Sequence, residues 1–399
     1  MPLTKIKGSS IDTTTDVTIN QLTATGNVAL TSNNITMANH FTVTDTHIKA
    51  EGPAIFLDPA NGIYLKNMII NGDFRYWQRA SSATGITTSS YRTADRWQLS
   101  LSNCGTWTEA LSTEVPANTG LPYSMKLDCT TADASPAAGD YVIFQQRIEG
   151  GMLGGIRKGL ADAQKVTVSF WTRSNTTGTY AVELRDHQNT RFLAKLYTIA
   201  VADTWQKVEL TFDADTTGTL SWDTNARMYL QFWLASGSTY AGGTLGTTWH
   251  TTEANRVAGI SNLAADTANE IYFAGIQMEV GANATAFEFL PRHIQEKQMY
   301  RYYYKESWNG RRGGGRVFRV NNRSQGTWEL PTIMRANPSF SATRTYGDGI
   351  WGGGSLYAGN GWTNPTKPAF INFEANIDVN SGGGNGGTFG FTVYATAEL

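Results

Sequence analysis

Residues 226–235 read ARMYLQFWLA, with Met228, Leu230, Phe232 and Leu234 at every second position and Tyr229, Gln231 and Trp233 between them. Successive side chains of a strand point to opposite faces. The segment therefore predicts a strand with one apolar face for a core and a second face that is polar but carries large rings. The same alternation recurs in KVTVSFWTRS, GTYAVELRDH, WQKVELTFDAD and NEIYFAGIQMEV, each bounded by turn-forming residues. Many strands at such spacing predict an all-β chain whose centre, residues 67–290, is a jelly-roll β-sandwich.

The flanking regions read differently. Residues 1–66 carry short apolar doublets at strand spacing, such as Val17 and Ile19, Val28 and Leu30, and Phe41 and Val43, separated by Thr, Asn, Asp and Gly. One chain could hardly bury enough surface with them, whereas several copies wound together could share a narrow core. The region predicts an N-terminal fibrous β-stalk, trimeric in form; the alternative is a disordered N-terminal arm. At 291–309, RHIQEKQMYRYYYKE places Ile294, Gln298 and Arg301 at helical spacing and predicts one short helical linker. Residues 310–399 are Gly-rich and strand-like again, in GRVFRVNN, KPAFINFEANIDV and GTFGFTVYATAEL, which predicts a small C-terminal β-domain.

Bulk properties narrow the function. Charged residues make up 16% of the 399 and the net charge is −1, so no global field recruits nucleic acid or an anionic membrane. No apolar run approaches the roughly 20 residues that span a bilayer, and the opening MPLTKIKGSS lacks the apolar core of a signal peptide. Neither a nucleic-acid partner nor membrane insertion is expected. Cys104 and Cys129 could make at most one bridge; the compartment argument reads them as buried reduced thiols.

In order and spacing, NMIINGDFRYWQRA (67–80), YRTADRW, VTVSFWTRS, FQQRIEG, GIQMEVGANATAFEFLPRHIQEKQMYRYYYK, LPTIMRANPSF and the ending ATAEL resemble bacteriophage tail-fibre and related virion proteins. The resemblance spans residues 67–345 and the extreme C-terminus, and TKIKGSSIDTTTDVTI is similar to virion-anchored phage proteins. It implies a jelly roll like that of carbohydrate-binding modules, a homotrimer, and a place in the phage tail, with other tail or virion proteins as partners of the N-terminal region. The implied target is host surface polysaccharide or lipopolysaccharide. In such a jelly roll Asn71-Gly72 makes a tight turn and Phe74 or Trp77 enters the core. The resemblance also brings a structural calcium, with Asp73 as candidate ligand; Arg75 stands where the family carries Glu, and the alternative is a plain structural turn.

Sugar recognition needs flat rings for the C–H face of a pyranose and planar hydrogen-bonding groups for its hydroxyls. Alternation puts Trp171 and Arg173 opposite Val168 and Phe170, Glu183 and Arg185 opposite Val182 and Leu184, and Tyr229, Gln231 and Trp233 opposite the core. If these strands are neighbours they form one aromatic, polar, concave face for a glycan. The alternative is that the rings fill a second core layer or a subunit interface. A second candidate surface is GDGIWGGGSLYAGNGWTNP, a Gly-rich loop carrying Trp351, Tyr357 and Trp362. NGRRGGGR, with Arg311, Arg312 and Arg316, reads as a solvated turn.

Catalysis has little support. The five histidines show no metal-ligand spacing and there is no Gly-x-Ser-x-Gly elbow. No cofactor is expected beyond the calcium. The expectation is a non-enzymatic tail-fibre protein attaching to host glycan. The alternatives are a virion connector or decoration protein without host contact, and a glycan depolymerase whose paired carboxylates are assembled only in space.

Overall fold

The computed structural model describes residues 66–309 and, beyond them, 317–320, 323–336, 338–347, 356–359, 370–376 and 389–399. The stalk expected at 1–66 lies outside these residues but for Lys66, as do Trp351, Trp362, Arg311, Arg312 and Arg316. The elements below belong to the compact unit Tyr64–Leu399.

Eleven antiparallel strands build the jelly-roll sandwich: β1 (Ser82–Ile86), β2 (Gln98–Ser102), β3 (Thr106–Ser112), β4 (Ser124–Thr131), β5 (Tyr141–Glu149), β6 (Val166–Ser174), β7 (Gly178–Asp186), β8 (Arg191–Ile199), β9 (Gln206–Phe212), β10 (Ala226–Ser236) and β11 (Glu270–Val280). One sheet has the order β1-β3-β4-β11-β6-β9 and the other β2-β5-β10-β7-β8. The inward positions of the alternating runs make the core. Met228, Leu230, Phe232 and Leu234 of β10 are all fully buried in it. Aromatic rings tie the sheets together. Phe144 of β5 stacks on Phe273 of β11 with centroids 5.6 Å apart, and Phe232 of β10 meets Phe170 of β6 edge-on at 5.0 Å. Each fully buried Phe contributes about 1.5–3 kcal/mol, so this bridging cluster holds the two sheets in one register.

The segment before β1 closes the sandwich. Asn71 adopts φ 58° and its side chain bonds the backbone of Tyr76 and Asp95. Phe74, at φ 52°, drops into the core, while Trp77 packs at its margin. Gly72 is needed for a different reason: a Cβ there would lie 2.0 Å from the Ile276 carbonyl oxygen. Its own carbonyl accepts the Ile276 N–H at 2.9 Å. The turn is thus stitched directly to β11. Cys104 and Cys129 are free, buried thiols.

The helix covers Arg292–Tyr300 and buries Gln295 and Met299, one turn apart. Its inward face is therefore not the Ile294, Gln298 and Arg301 stripe, because Met299 joins Ile70 and Tyr302 in a small apolar cluster against the sandwich. The linker expected over 291–309 is helical only in part, since Tyr303–Asn309 is already a strand, β12.

Beyond it come β13 (Val317–Val320), β14 (Arg323–Glu329), β15 (Ser339–Gly347), β16 (Leu356–Gly359), β17 (Phe370–Asn376) and β18 (Phe389–Thr396). They pair as β12-β18-β15 and β13-β14-β17-β16. The residues after β18 dock on the sandwich through charge-assisted hydrogen bonds. Glu398 pairs with Arg96 and with Arg79, the latter at 3.0 Å. Arg96 lies 3.6 Å over the Tyr302 ring, and Arg301 grips Glu149 through two bonds of 2.8 and 3.0 Å.

Candidate functional site

The outer face of the five-stranded sheet carries a cleft of about 220 Å³. At roughly 30 Å³ per water molecule it has room for about seven waters, the scale of one sugar ring. Its floor is built by register. Strand pairing places outward residues of neighbouring strands side by side, and three such rows cross the sheet.

The middle row is polar: Gln98 of β2 pairs with Gln145 of β5, Gln145 with Gln231 of β10, and Gln231 with Glu183 of β7. The amides are linked in that order, Gln145 Nε2 donating to Gln98 Oε1 at 2.7 Å and Gln231 Nε2 to Gln145 Oε1 at 2.6 Å. Glu183, fully buried, ends the chain. Its Oε1 accepts from Arg256 Nε at 2.9 Å, and its Oε2 from Arg256 Nη2 at 2.7 Å and Trp233 Nε1 at 3.0 Å. Arg256 comes from the loop after β10. Burial works against its charge, but the Glu183 carboxylate more than offsets that and raises its pKa.

On one side lies an apolar row, Ser100, Ile143, Trp233 and Ala181. Tyr240 of the same loop packs on Trp233, with centroids 5.3 Å apart, and on Tyr141. On the other side lies a cationic row, Arg147 of β5, Tyr229 of β10 and Arg185 of β7. His187 stacks on Tyr229 at 4.7 Å, and both guanidinium groups lie within 6 Å of that ring. Burial, then Arg185 and Arg147, lower the His187 pKa below its ordinary value.

The sequence candidates divide between the two sheets. Arg185, Tyr229, Gln231 and Trp233 line the cleft and Glu183 braces its floor. Trp171 and Arg173 do not join them, because β6 pairs with β11 and β9 in the opposite sheet. Arg173 there bonds Asp203 at 2.9 Å and pairs with Glu114. Trp233 is also not an open stacking platform. It is 1% exposed, in a second apolar layer with Ile143, Ala181, Ala194 and Val257. Tyr357 falls in β16, opposite Glu374, and not in a loop.

The residues missed were Gln145, Arg147, Tyr240, Arg256 and His187. Two of these had a signal, since YVIFQQRIE alternates like β10 and sends Gln145 and Arg147 outward. The buried Asp73 carboxylate, the calcium candidate, faces the Arg75 guanidinium and the Gln295 amide through Oδ2, each at 3.4 Å, whereas its Oδ1 and Gln295 Oε1 are buried without a hydrogen-bond partner among the described residues, two free oxygens of the about 6–8 that calcium needs. Among the described residues no group of three or more His, Cys, Asp or Glu is placed to hold a metal.

No protein-family model and no curated protein matches the chain. Among solved structures, it is similar to the enzymatically active domain of tailspike protein 4 of bacteriophage CBA120 at 14% identity and a TM-score of 0.28, over 54% of this chain and only 21% of that one. A putative sugar-binding protein from Bacteroides thetaiotaomicron matches over 54% of this chain and 100% of its own, at 14% identity and a TM-score of 0.32. TmCBM61 in complex with β-1,4-galactotriose matches over 54% and 99%, at 9% identity and a TM-score of 0.27. At these TM-scores the matches carry no argument, and what the site does is argued from its own geometry.

Proposed function

We propose that this chain is a non-enzymatic phage tail-fibre protein, a homotrimer joined to the virion through its N-terminal region, whose sandwich attaches to host surface glycan through the cleft over β5, β10 and β7. The observation that carries the reading is the three in-register rows. A ring-lined wall, a chain of planar amides and a pair of guanidinium groups face one space the size of a sugar ring. These are the groups that hold a pyranose by its apolar face and its hydroxyls. The amides are already bonded to one another, so they meet a ligand with little loss of side-chain freedom. Glycosidic cleavage calls for two carboxyl groups flanking the bond, whereas this cleft presents amide, imidazole and guanidinium groups. The phage-tail setting and the trimer rest on the sequence resemblance, and three cleft copies on a repetitive polysaccharide would raise avidity where each site is weak.

The test incubates purified protein with intact host cells and with their extracted surface polysaccharide, and reads retained protein and released oligosaccharide in the same tubes. Saturable retention without release, weakened by Tyr240→Ala at the cleft rim, is the expected result. Release of oligosaccharide would replace the reading with a depolymerase. Neither retention nor release, from a folded trimer, would replace it with a virion connector.

A further inference from the structure

Arg185 is singular among the arginines whose side chains are described. Every other arginine whose side chain is described makes an ion pair or donates a hydrogen bond. Arg185 does neither among the described residues. Its Nε is buried without a partner, and its contacts are with the faces of Tyr229 and Phe192, at 5.6 and 5.9 Å. Arg147, across Tyr229 in the same row, spends one Nη1 hydrogen on a main-chain oxygen of Leu399, the last residue of the sequence, at 2.7 Å, so of the two it is Arg185 that lacks any polar partner, though Arg147 likewise leaves a buried Nε unpartnered. Two guanidinium groups thus sit two strand spacings apart, about 10 Å, on either side of one ring.

The cleft offers them no counter-charge. Its lining includes no carboxylate, Glu183 beneath it is taken by Arg256, and Glu253 is bonded to Arg256 at 2.8 Å. A half-buried cation without a partner is costly, and like charges in one row add to the cost. An anion between them removes both terms. An Arg guanidinium also presents its N–H groups as a planar fork that matches a carboxylate.

We propose that the cleft selects a sugar bearing a negative charge, a hexuronate carboxylate above all, with Arg185 as the residue that sets this specificity and Arg147 as its partner. The proposal rests on the cleft being a glycan site. A neutral sugar would satisfy the amide row but leave the cationic row bare; an acidic sugar satisfies both. His187 stacks on Tyr229 beside the two arginines.

The experiment uses the full-length protein and a panel of acidic bacterial polysaccharides. Each is presented native and after reduction of its carboxyl groups to primary alcohols, and phosphate-bearing members also after dephosphorylation. Carboxyl reduction is expected to weaken binding roughly ten- to hundredfold, the weight of a hydrogen bond to a charged group. Raised salt should weaken binding to the native form selectively. Arg185→Met should lose that same factor on native polysaccharide and nothing on the reduced form, and Arg185→Lys should recover part of it. Melting curves of both variants establish that they are folded, and the Lys variant carries the test should the Met variant fail to fold. Sensitivity to dephosphorylation alone would assign the charge to phosphate in place of carboxylate. Equal binding to native and neutralised forms, unchanged by either variant, overturns the inference and leaves the glycan reading standing. Binding to no polysaccharide in any form overturns the glycan reading itself.

Discussion

Removing the Glu183 carboxylate should destabilise the sandwich far more than its place beside a cleft suggests. Glu183 is fully buried and Arg256 is 4% exposed on its side chain, and two hydrogen bonds of 2.9 and 2.7 Å join them. In Glu183→Leu the guanidinium keeps only Glu253, itself 45% exposed at the rim, and the Gln231 oxygen at 3.2 Å. Trp233 Nε1 loses its acceptor as well. Breaking a buried pair from one side costs about 3–5 kcal/mol, or roughly 6–20 °C in melting temperature for a domain of this size. Arg256→Met should cost a similar amount, because it strands the carboxylate. The double variant removes both charges and should recover most of the loss, ending within about 1 kcal/mol of the native protein, the residual being the unpaired indole N–H. Urea unfolding followed by tryptophan fluorescence on the four proteins gives the coupling energy directly. Additive single losses, or single losses below about 1 kcal/mol, would refute the claim that this pair is a buried, mutually dependent brace.

Two further outcomes follow from the core. Glu109 is buried, and burial, outweighing the hydrogen bond from Thr93 Oγ1 at 3.1 Å, pushes its pKa from 4.5 up to about 7. Because the folded value is the higher one, this group's contribution to stability is complete below pH 4.5 and is lost as pH rises through about 7. At about 1.4 kcal/mol per pH unit the loss is about 3 kcal/mol, so Glu109→Gln should raise the melting temperature at pH 8 and change little at pH 4. Gly72→Ala should lower it at every pH, by about 1–3 kcal/mol of overpacking, since the new methyl would meet the Ile276 carbonyl; thermal melts of both variants check the two.

Period 2 carried most of what could be read from the sequence. The faces of β10 were assignable because no helix or loop requires strict alternation over ARMYLQFWLA: Met228, Leu230, Phe232 and Leu234 do enter the core between the sheets, but Tyr229, Gln231 and Trp233 on the other face are buried too, Trp233 in a second apolar cluster that the pattern did not announce. Which strands adjoin was not legible: β6 and β7 are consecutive in the chain yet lie in different sheets, so Trp171 and Glu183 look alike in sequence and part company in space. Arg256 was equally hidden. It reaches the floor from a loop, held by Val257 N–H to the Tyr240 carbonyl at 3.0 Å, and no periodicity marks such a residue. The strands of the C-terminal region were visible as composition, whereas their membership of one compact unit with the sandwich was not, because the tie through Glu398 rests on Arg79 and Arg96, more than 300 residues earlier.

The cross-strand rows make the cleft easy to retune and hard to shift. Residues 147, 185 and 229 face away from the core, so exchanging one for another side chain alters what the surface recognises while the packed interior keeps its partners. On the proposed glycan reading, specificity drifts by point substitution at these positions. Insertion or deletion of one residue within β5, β7 or β10 is another matter, because it turns every recognition residue of that strand inward and every core residue out. Relatives of this chain are then expected to differ by replacements in these strands and to confine length variation to the loop that delivers Tyr240 and Arg256.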